Sequence, residues 1–584
     1  MAEFKNPQQE PGMERRLLLV FALTFLVIML FQPVLKKYLP QPPAKPESSQ
    51  PAPAQNQAQP PMPTGAANTP PTAKSEKNKP AAPAPQQATS ESETVIENGL
   101  YRIVFTNRGG RVKSWVLKKY TDDKGGQLEL VNATAAEKHG YPLSLWTYDE
   151  GLRNTVNSAL YVATGTSTTA PAEITFAYSD GDVAVQKSFK FDHSYVVGVR
   201  TSVQVKGVEV TAFPMWPAGF GDETIGPQYA TGQIAYQYDS KVERLAIKKI
   251  SGGGTVPGPF HWAGLSDQYF AAVFLPQDPQ STAMVTLHNT IEIPRGGDSK
   301  QMDKVDVLGA AVGSLKGATA GRLYVGPKSL PDLESVRVPG ITGAEPDLRA
   351  IVDFGWLGLI ARPLFEWLKW MYYHIVANWG WAILLQTLVI NVALLPLRLS
   401  QMKSMLKMQR VAPQIKAIQE KYKKYSLRDP KKAEMNQEVS ALYKKEGVNP
   451  AGGCLPLLIQ MPFLFAYYRM LGVAMDLRHA PWLWIRDLSA PDPWHILPIA
   501  IIVTMLVMQR MTPQAGMDPT QQKMMNIMMP GMLGVMSWNL AAGLCLYWSA
   551  GQLIGIVQQA VMNRTSLGRE MREMMEKRAR KKEK

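Results

Sequence analysis

The chain has 584 residues, more than one compact domain holds. It is 45% hydrophobic and 19% charged, and it carries a formal net charge of +15. The two cysteines, Cys454 and Cys545, lie in apolar segments and the seven His are scattered, which excludes a disulfide framework and any recognisable zinc spacing.

Residues 1–16 end in Arg15 and Arg16 and read as a cytoplasmic N-terminus. The apolar run that follows, taken as 17–35, is long enough to span a bilayer. A cleaved signal peptide is the alternative. However, "QPVLKKYLP" follows the run where a small-x-small cleavage site would be needed, so the segment reads as a retained transmembrane anchor. Residues 36–94 are rich in Pro and Ala ("QPAPAQNQAQPPMP") and cannot bury a core; they read as a disordered linker.

From 95 to 345 the pattern changes to short alternating runs, such as "GLYRIVFTNRGGRVKSWVLKKY" and "VAVQKSFKF", punctuated by "NRGG" and "SDGD". This predicts an all-β sandwich built of hairpins. It holds no nucleophile elbow, phosphate loop or acid pair. His193 and His261 read as ordinary surface or satisfied residues. The domain reads as a binding or scaffold module and not an enzyme.

Residues 346–378 contain "ARPLFEWLKWMYYH". Arg362, Glu366, Lys369 and Tyr373 step by four, three and four, forming one polar stripe on an otherwise apolar helix. Such a helix suits the membrane interface, the alternative being a core helix of the β domain. The core, 379–564, carries five apolar segments: 379–399, 454–474, 495–512, 524–541 and 544–563. With the anchor they make six spans. The basic residues collect in three alternate segments: 400–450, the region around Arg510 and Lys523, and the basic tail 565–584. The positive-inside rule places all three in the cytoplasm, with both termini, and the β domain on the outer side. It favours membrane topology over nucleic-acid binding as the source of the net charge.

Within 400–450 the pattern predicts a helical hairpin. Pro413 is expected to kink the first helix or start a new one. Asp429 and Pro430 supply the start of the second, and Gly447 its end. Its cations, including Lys416, Lys421, Lys423, Lys424, Lys431 and Lys432, read either as a solvated topology signal or as a contact site for ribosomes, nascent chains or anionic headgroups.

The first core span carries polar residues at depth. Steps of four and seven put Thr387, Asn391 and Arg398 on nearly one helix face, since seven residues miss two turns by roughly 20°. Asn391 lies about 15 Å from Trp381 along the axis. Such groups face a bundle interior or a wet cavity, or simply bond a neighbouring helix. Gln460, Arg469, Ser537, Asn539, Ser549 and Gln552 add polar groups on other spans, a set that fits a hydrated cleft.

The stretches "DFGWLGLIARPLFEWLKW", "ANWGWAI", "QMKSMLKMQRVAPQIKAIQEKY", "ALYKKEGVNPAGGCLPLLIQMPFLFAYYRML", "WIRDLSAPDP", "DPTQQKMMNIMMP" and "GLCLYWSAGQLIGIVQQ" resemble the YidC branch of the YidC/Oxa/Alb membrane-protein insertases. The layout of anchor, spacer and large β domain resembles the Gram-negative form. The resemblance implies a non-enzymatic, monomeric insertase and chaperone in the bacterial inner membrane, multi-pass, with a periplasmic β domain. It would need no nucleotide, metal or other cofactor. Nascent membrane proteins, the Sec translocon, the ribosome (transiently, through the hairpin and tail) and membrane lipids are the implied partners, with no specific nucleic acid. It also implies a hydrophilic groove open to the cytoplasm and lipid. Thr387 matches a polar groove position, and Tyr547 with Trp548 matches an aromatic pair that resembles a substrate-contacting surface. The family usually places a basic residue five positions before the proline matched by Pro396. Asn391 stands there in this chain, and Arg398 lies on the same face nearer the cytoplasm.

Three other readings compete. A secondary transporter would show inverted repeats and paired broken helices, and neither is seen in the five core spans. An intramembrane hydrolase would need a nucleophile and base within the spans, and His495 lacks such a partner. A structural assembly factor would make the β domain the working part.

Overall fold

The computed structural model describes residues 84–221, 232–238, 241–245, 247–295, 298–340, 347–355, 357–425, 429–448, 455–511, 524–565 and 569. The expected N-terminus 1–16, the anchor 17–35, most of the linker 36–94 and nearly all of the basic tail 565–584 lie outside these residues.

Among the described residues the β region forms three sheets of ten, five and four strands. Strand Val183–Phe191 shows why: Val185, Lys187, Phe189 and Phe191 point inward, while Gln186, Ser188 and Lys190 point out. Strand Tyr101–Thr106 of the four-stranded sheet faces it, and Phe105 stacks on Phe189 with ring centroids 5.3 Å apart. Lys187 occupies an inward position in this apolar layer. Its Nζ donates to the carbonyls of Gly109 at 2.8 Å, Gly110 at 3.0 Å and Leu143 at 2.6 Å, which replace its water.

The domain is not purely β. Helices α1 (Ala133–His139) and α2 (Glu150–Ser158) interrupt the strands, each started by a side-chain cap: Asn132 accepts from the Ala135 amide and Asp149 from the Leu152 amide. A short α3 (Leu330–Glu334) follows the last strand.

The remaining helices form the core. Helix α4 (Gly358–His374) buries Leu364, Phe365, Leu368 and Met371. Its polar stripe is partly consumed by pairing: Arg362 Nε lies 3.1 Å from Glu366 Oε1, and Lys369 Nζ lies 3.6 Å from Asp476 Oδ1. Trp370 and Tyr373 stay exposed. The chain then turns through 120° into α5 (Trp379–Ala393). Asn378 makes the turn: its Oδ1 accepts from the Trp381 amide and its Nδ2 donates to the Pro481 carbonyl.

The segment expected as one span at 379–399 is divided. Pro396 lacks an amide donor, α5 ends at Ala393, and α6 (Leu395–Lys421) begins after Leu394. Pro413 does not end or restart a helix; it lies inside α6. Packing on both sides of it compensates for the lost bond, because Val411 and Ile415 bury against Val448, Val439, Leu442 and Tyr443. Helix α7 (Pro430–Lys445) begins at the Asp429 cap, whose Oδ1 accepts from the Lys431 amide at 2.9 Å.

Helices α8 (Leu455–Val473), α9 (Ile496–Met511), α10 (Met529–Ser537) and α11 (Ala542–Arg564) complete the core, with a π turn at Met524–Met528 before α10. The segment expected as a span at 524–541 is therefore helical only to Ser537. No single described helix is both long and apolar enough to cross a membrane, though α4 and α5 pass together across their bend.

The β region docks on the core through ion pairs. Arg469 Nη2 of α8 lies 3.0 Å from Asp353 Oδ2, and Arg244 Nε lies 4.0 Å from the same atom. Burial alone would raise the Asp353 carboxyl, but Arg244, the Gly355 amide and Arg469 together hold it below the usual range. In a second contact Asp123 Oδ1 lies 3.1 Å from His479 Nε2 and 3.7 Å from Arg478 Nη2. The His479 hydrogen bond, with Arg478 beside it, lowers the Asp123 carboxyl despite partial burial.

Candidate functional site

The three polar residues on the first core span converge. The Thr387 hydroxyl donates to the Ile383 carbonyl at 2.7 Å, and Asn391 Nδ2 donates to the Thr387 carbonyl at 2.8 Å. Asn391 Oδ1 then accepts from Arg398 Nη2 at 3.0 Å. Arg398 Nη1 donates to Gln558 Oε1 at 2.6 Å, and Gln558 Nε2 returns to the Asn391 carbonyl at 3.2 Å. Arg398, Asn391 and Gln558 thus close a ring between α5, the start of α6 and α11.

Glycine lets α11 approach this ring. A Cβ on Gly555 would sit 2.8 Å from Arg398 Nη1, so only a glycine leaves the guanidinium room against the helix. A Cβ on Gly551 would meet Asn391, Thr387 and Gln460 only at 3.9–4.0 Å, ordinary contact.

Next to the ring is a cavity of about 20 Å³, lined by Asn391, Arg398, Gln460 and Tyr547 with the apolar Ile390, Leu394, Leu397 and Phe463. That volume holds about one water. Tyr547 forms one wall and stacks on Tyr467, centroids 3.9 Å apart. The Tyr467 hydroxyl donates to Gln386 Oε1, and Gln386 Nε2 donates to the Leu364 carbonyl at 2.9 Å. A ring stack followed by two hydrogen bonds therefore links the cavity wall to α4.

Other residues singled out in the sequence fall elsewhere. Thr387 is fully buried beneath Asn391 and is not in the cavity lining. Trp548 is buried in the core and is not in the lining either. Gln460 joins the cavity. Arg469 serves the Asp353 contact, the Ser537 and Ser549 hydroxyls bond back to their own helices, and Asn539 is exposed. The sequence reading missed Gln558. The signal available was its position three and seven residues after Gly555 and Gly551, on their face of the helix.

In the hairpin, Lys421 Nζ pairs with Glu438 Oε1 at 2.8 Å, Lys416 with Glu420 at 3.7 Å, and Lys431 Nζ donates to the Tyr425 hydroxyl at 3.1 Å. Lys423 and Lys424 are exposed, and Lys424 lies 5.5 Å from the Tyr425 ring centre. The side chain of Lys432 lies outside the described residues. Among the described residues no His, Cys, Asp and Glu cluster could hold a metal ion.

Residues 370–569 match the family described as 60Kd inner membrane protein, and residues 93–367 match the YidC periplasmic domain. The membrane protein insertase YidC of Syntrophus aciditrophicus is 31% identical over 576 residues, covering 94% of this chain and 100% of that one. That of Geobacter metallireducens is 32% identical over 515 residues, covering 83% and 88%. The crystal structure of an active YidC insertase with its first transmembrane domain resolved aligns with 82% of this chain and 95% of that one, at 21% identity and a TM-score of 0.35. Two family matches that together run from the β domain through α11, and relatives similar along nearly the whole length, have one reading: the chain belongs to the YidC family of membrane protein insertases.

Proposed function

We propose that this chain inserts and folds integral membrane proteins in the inner membrane of a Gram-negative bacterium, using the cleft around Asn391 and Arg398 as its groove. The observation that carries this reading is the Arg398 ring. Among the described residues the guanidinium is held between α5, the start of α6 and α11 by two neutral side chains, Asn391 and Gln558. A client carboxylate makes stronger, charge-assisted bonds than either amide and can displace them. The cleft then lowers the cost of drawing a polar tail into the bilayer. The client's own apolar segment supplies the drive by moving sideways into lipid, at roughly 0.8 kcal/mol per CH₂ buried. No nucleotide enters this scheme.

Tyr547 in the cavity wall, with Trp548 beside it in sequence, forms the aromatic side of the client path. The chain works as a monomer, alone or with the Sec translocon, and is not an enzyme. The hairpin, through Lys416, Lys421, Lys423, Lys424, Lys431 and Lys432, and the basic tail receive ribosomes, nascent chains and anionic headgroups. Both termini are cytoplasmic, the β domain is periplasmic, and six segments span.

The test uses purified protein in liposomes and a small single-span client, without nucleotide. Insertion of an acidic-tailed client should fall more than that of a neutral-tailed one in Arg398→Ala, and salt should narrow the difference. Equal losses for both tails would remove Arg398 from the path and leave it a structural tie.

A further inference from the structure

The outer face of the ten-stranded sheet carries a hollow that the insertion cleft does not use. Strands Ala172–Ser179, Val183–Phe191, Val196–Val205, Thr319–Pro327 and Phe270–Pro276 stand beside one another in that order. Their register aligns Glu173, Lys190, Gly198, Arg322 and Leu275 in one row across the sheet. Two residues along, Thr175, Ser188, Arg200 and Ala320 form a second row on the same face. Gly198 and Ala320 give a low floor, while Lys190, Arg200 and Arg322 rise around it. The result is a hollow of about 700 Å³, within the range of ligand sites.

Its charge is one-sided. Three cations face one carboxylate, Glu173, which lies 3.4 Å from Lys190 Nζ. Arg322 Nη2 is anchored on the Arg337 carbonyl at 2.6 Å. Among the described residues no carboxylate lies within ion-pair distance of Arg200, and its side chain is exposed. Five adjacent strands span about 19 Å, the length of about six extended residues.

We propose that this hollow receives an extended acidic polypeptide segment, the translocated tail of a client. The assignment rests on the function proposed above, which puts the β domain on the side where tails emerge. Lys and Arg are depleted from translocated segments, whereas Asp and Glu are tolerated there. A net-positive hollow is complementary to such a tail, and its hydroxyl and amide lining (Ser188, Gln277) can bond a peptide backbone.

The experiment uses the full-length protein in nanodiscs and fluorescein-labelled peptides of alternating Asp and Ser, Asn and Ser, or Lys and Ser, read by anisotropy. The acidic peptide should bind more tightly than the other two, and salt should weaken it. The Lys190→Gln, Arg200→Gln double variant should lose about tenfold in affinity for it, as two exposed charge pairs acting together allow. Lys190→Glu with Arg200→Glu should bind the Lys peptide instead, which shows that a folded hollow remains. Equal binding of the acidic and neutral peptides, or unchanged acidic-peptide affinity in the Gln variant, overturns the proposal, as does displacement of the acidic peptide by a neutral oligosaccharide. Liposome insertion of a client with a minimal tail separates the two readings. Normal insertion by the Gln variant with lost peptide binding supports both, whereas failure of the unaltered protein to insert any client refutes the groove and not the peptide site.

Discussion

Replacing Gly555 by Ala should destabilise the core, and replacing Gly551 by Ala should not. At Gly555 the new Cβ falls 2.8 Å from both Arg398 Nη1 and Met508 Cε. Both are ends of side chains, so the helix can stay in place while they retreat. The methionine yields easily. The guanidinium is tied at 2.6 Å to Gln558 and at 3.0 Å to Asn391, and a retreat of about 1 Å takes one bond past the hydrogen-bond limit. Losing a hydrogen bond to a charged group costs about 1.5–3 kcal/mol. Alanine returns about 1 kcal/mol of helix propensity, leaving a net loss of about 0.5–2 kcal/mol. At Gly551 the nearest atoms would lie at 3.9–4.0 Å, so only the propensity gain of about 1 kcal/mol remains. Reversible unfolding of the two variants in detergent measures the difference. In an Arg398→Met background the Gly555→Ala penalty should vanish, as a double-mutant cycle would report. Equal effects at the two glycines would refute the argument. So would a Gly555→Ala penalty that survives Arg398→Met and disappears in Met508→Ala.

Restoring a basic residue at Asn391 should fail by itself: Asn391→Arg sets a second guanidinium against Arg398, at roughly 4 kcal/mol for like charges about 4 Å apart near an effective dielectric of 20. The exchange Asn391→Arg with Arg398→Asn should recover folded yield and insertion, and a single variant as stable as the exchange would contradict this. Lys328 is buried with its Nζ 2.8 Å from the Asp267 carbonyl, and burial lowers it to about 8 from 10.5. Between those values the unfolded chain binds more protons than the folded one, so stability should rise from pH 8 to 10.5, by up to about 3 kcal/mol. Lys328→Met should flatten that rise in Trp-fluorescence unfolding curves; an unchanged slope would place its source elsewhere. Removing 417–441 should leave a protein with a near-normal melting temperature that inserts poorly, because the hairpin's apolar contacts form a small cluster apart from the main core. Full insertion by that variant would end the proposed role of the hairpin.

The sequence by itself determined what depends on near neighbours along the chain. Alternation in 183–191 marks an inward face and places Lys187 on it, although only the fold supplies the three carbonyls that make the position tolerable. Asp429 followed by Pro430 marks a helix start, because capping is local. Thr387 and Asn391 share a face by helical spacing alone, whereas Arg398 lies beyond the break at Leu394 and meets Asn391 in the fold. Helices α1 and α2 escaped the reading: their caps were visible at Asn132 and Asp149, but segments of seven and nine residues are too short to show a period. Of the two outcomes expected at Pro413, the start of a new helix does not occur: the proline lies inside α6, where Val411 and Ile415 on either side of it pack across the hairpin. Gln558 stands 160 residues from Arg398, and their pairing exists only because α11 lies against α5 with glycine between them. The tertiary structure alone decided that, since a hydrogen bond depends on distances of a few tenths of an ångström that packing sets and sequence spacing within one helix cannot.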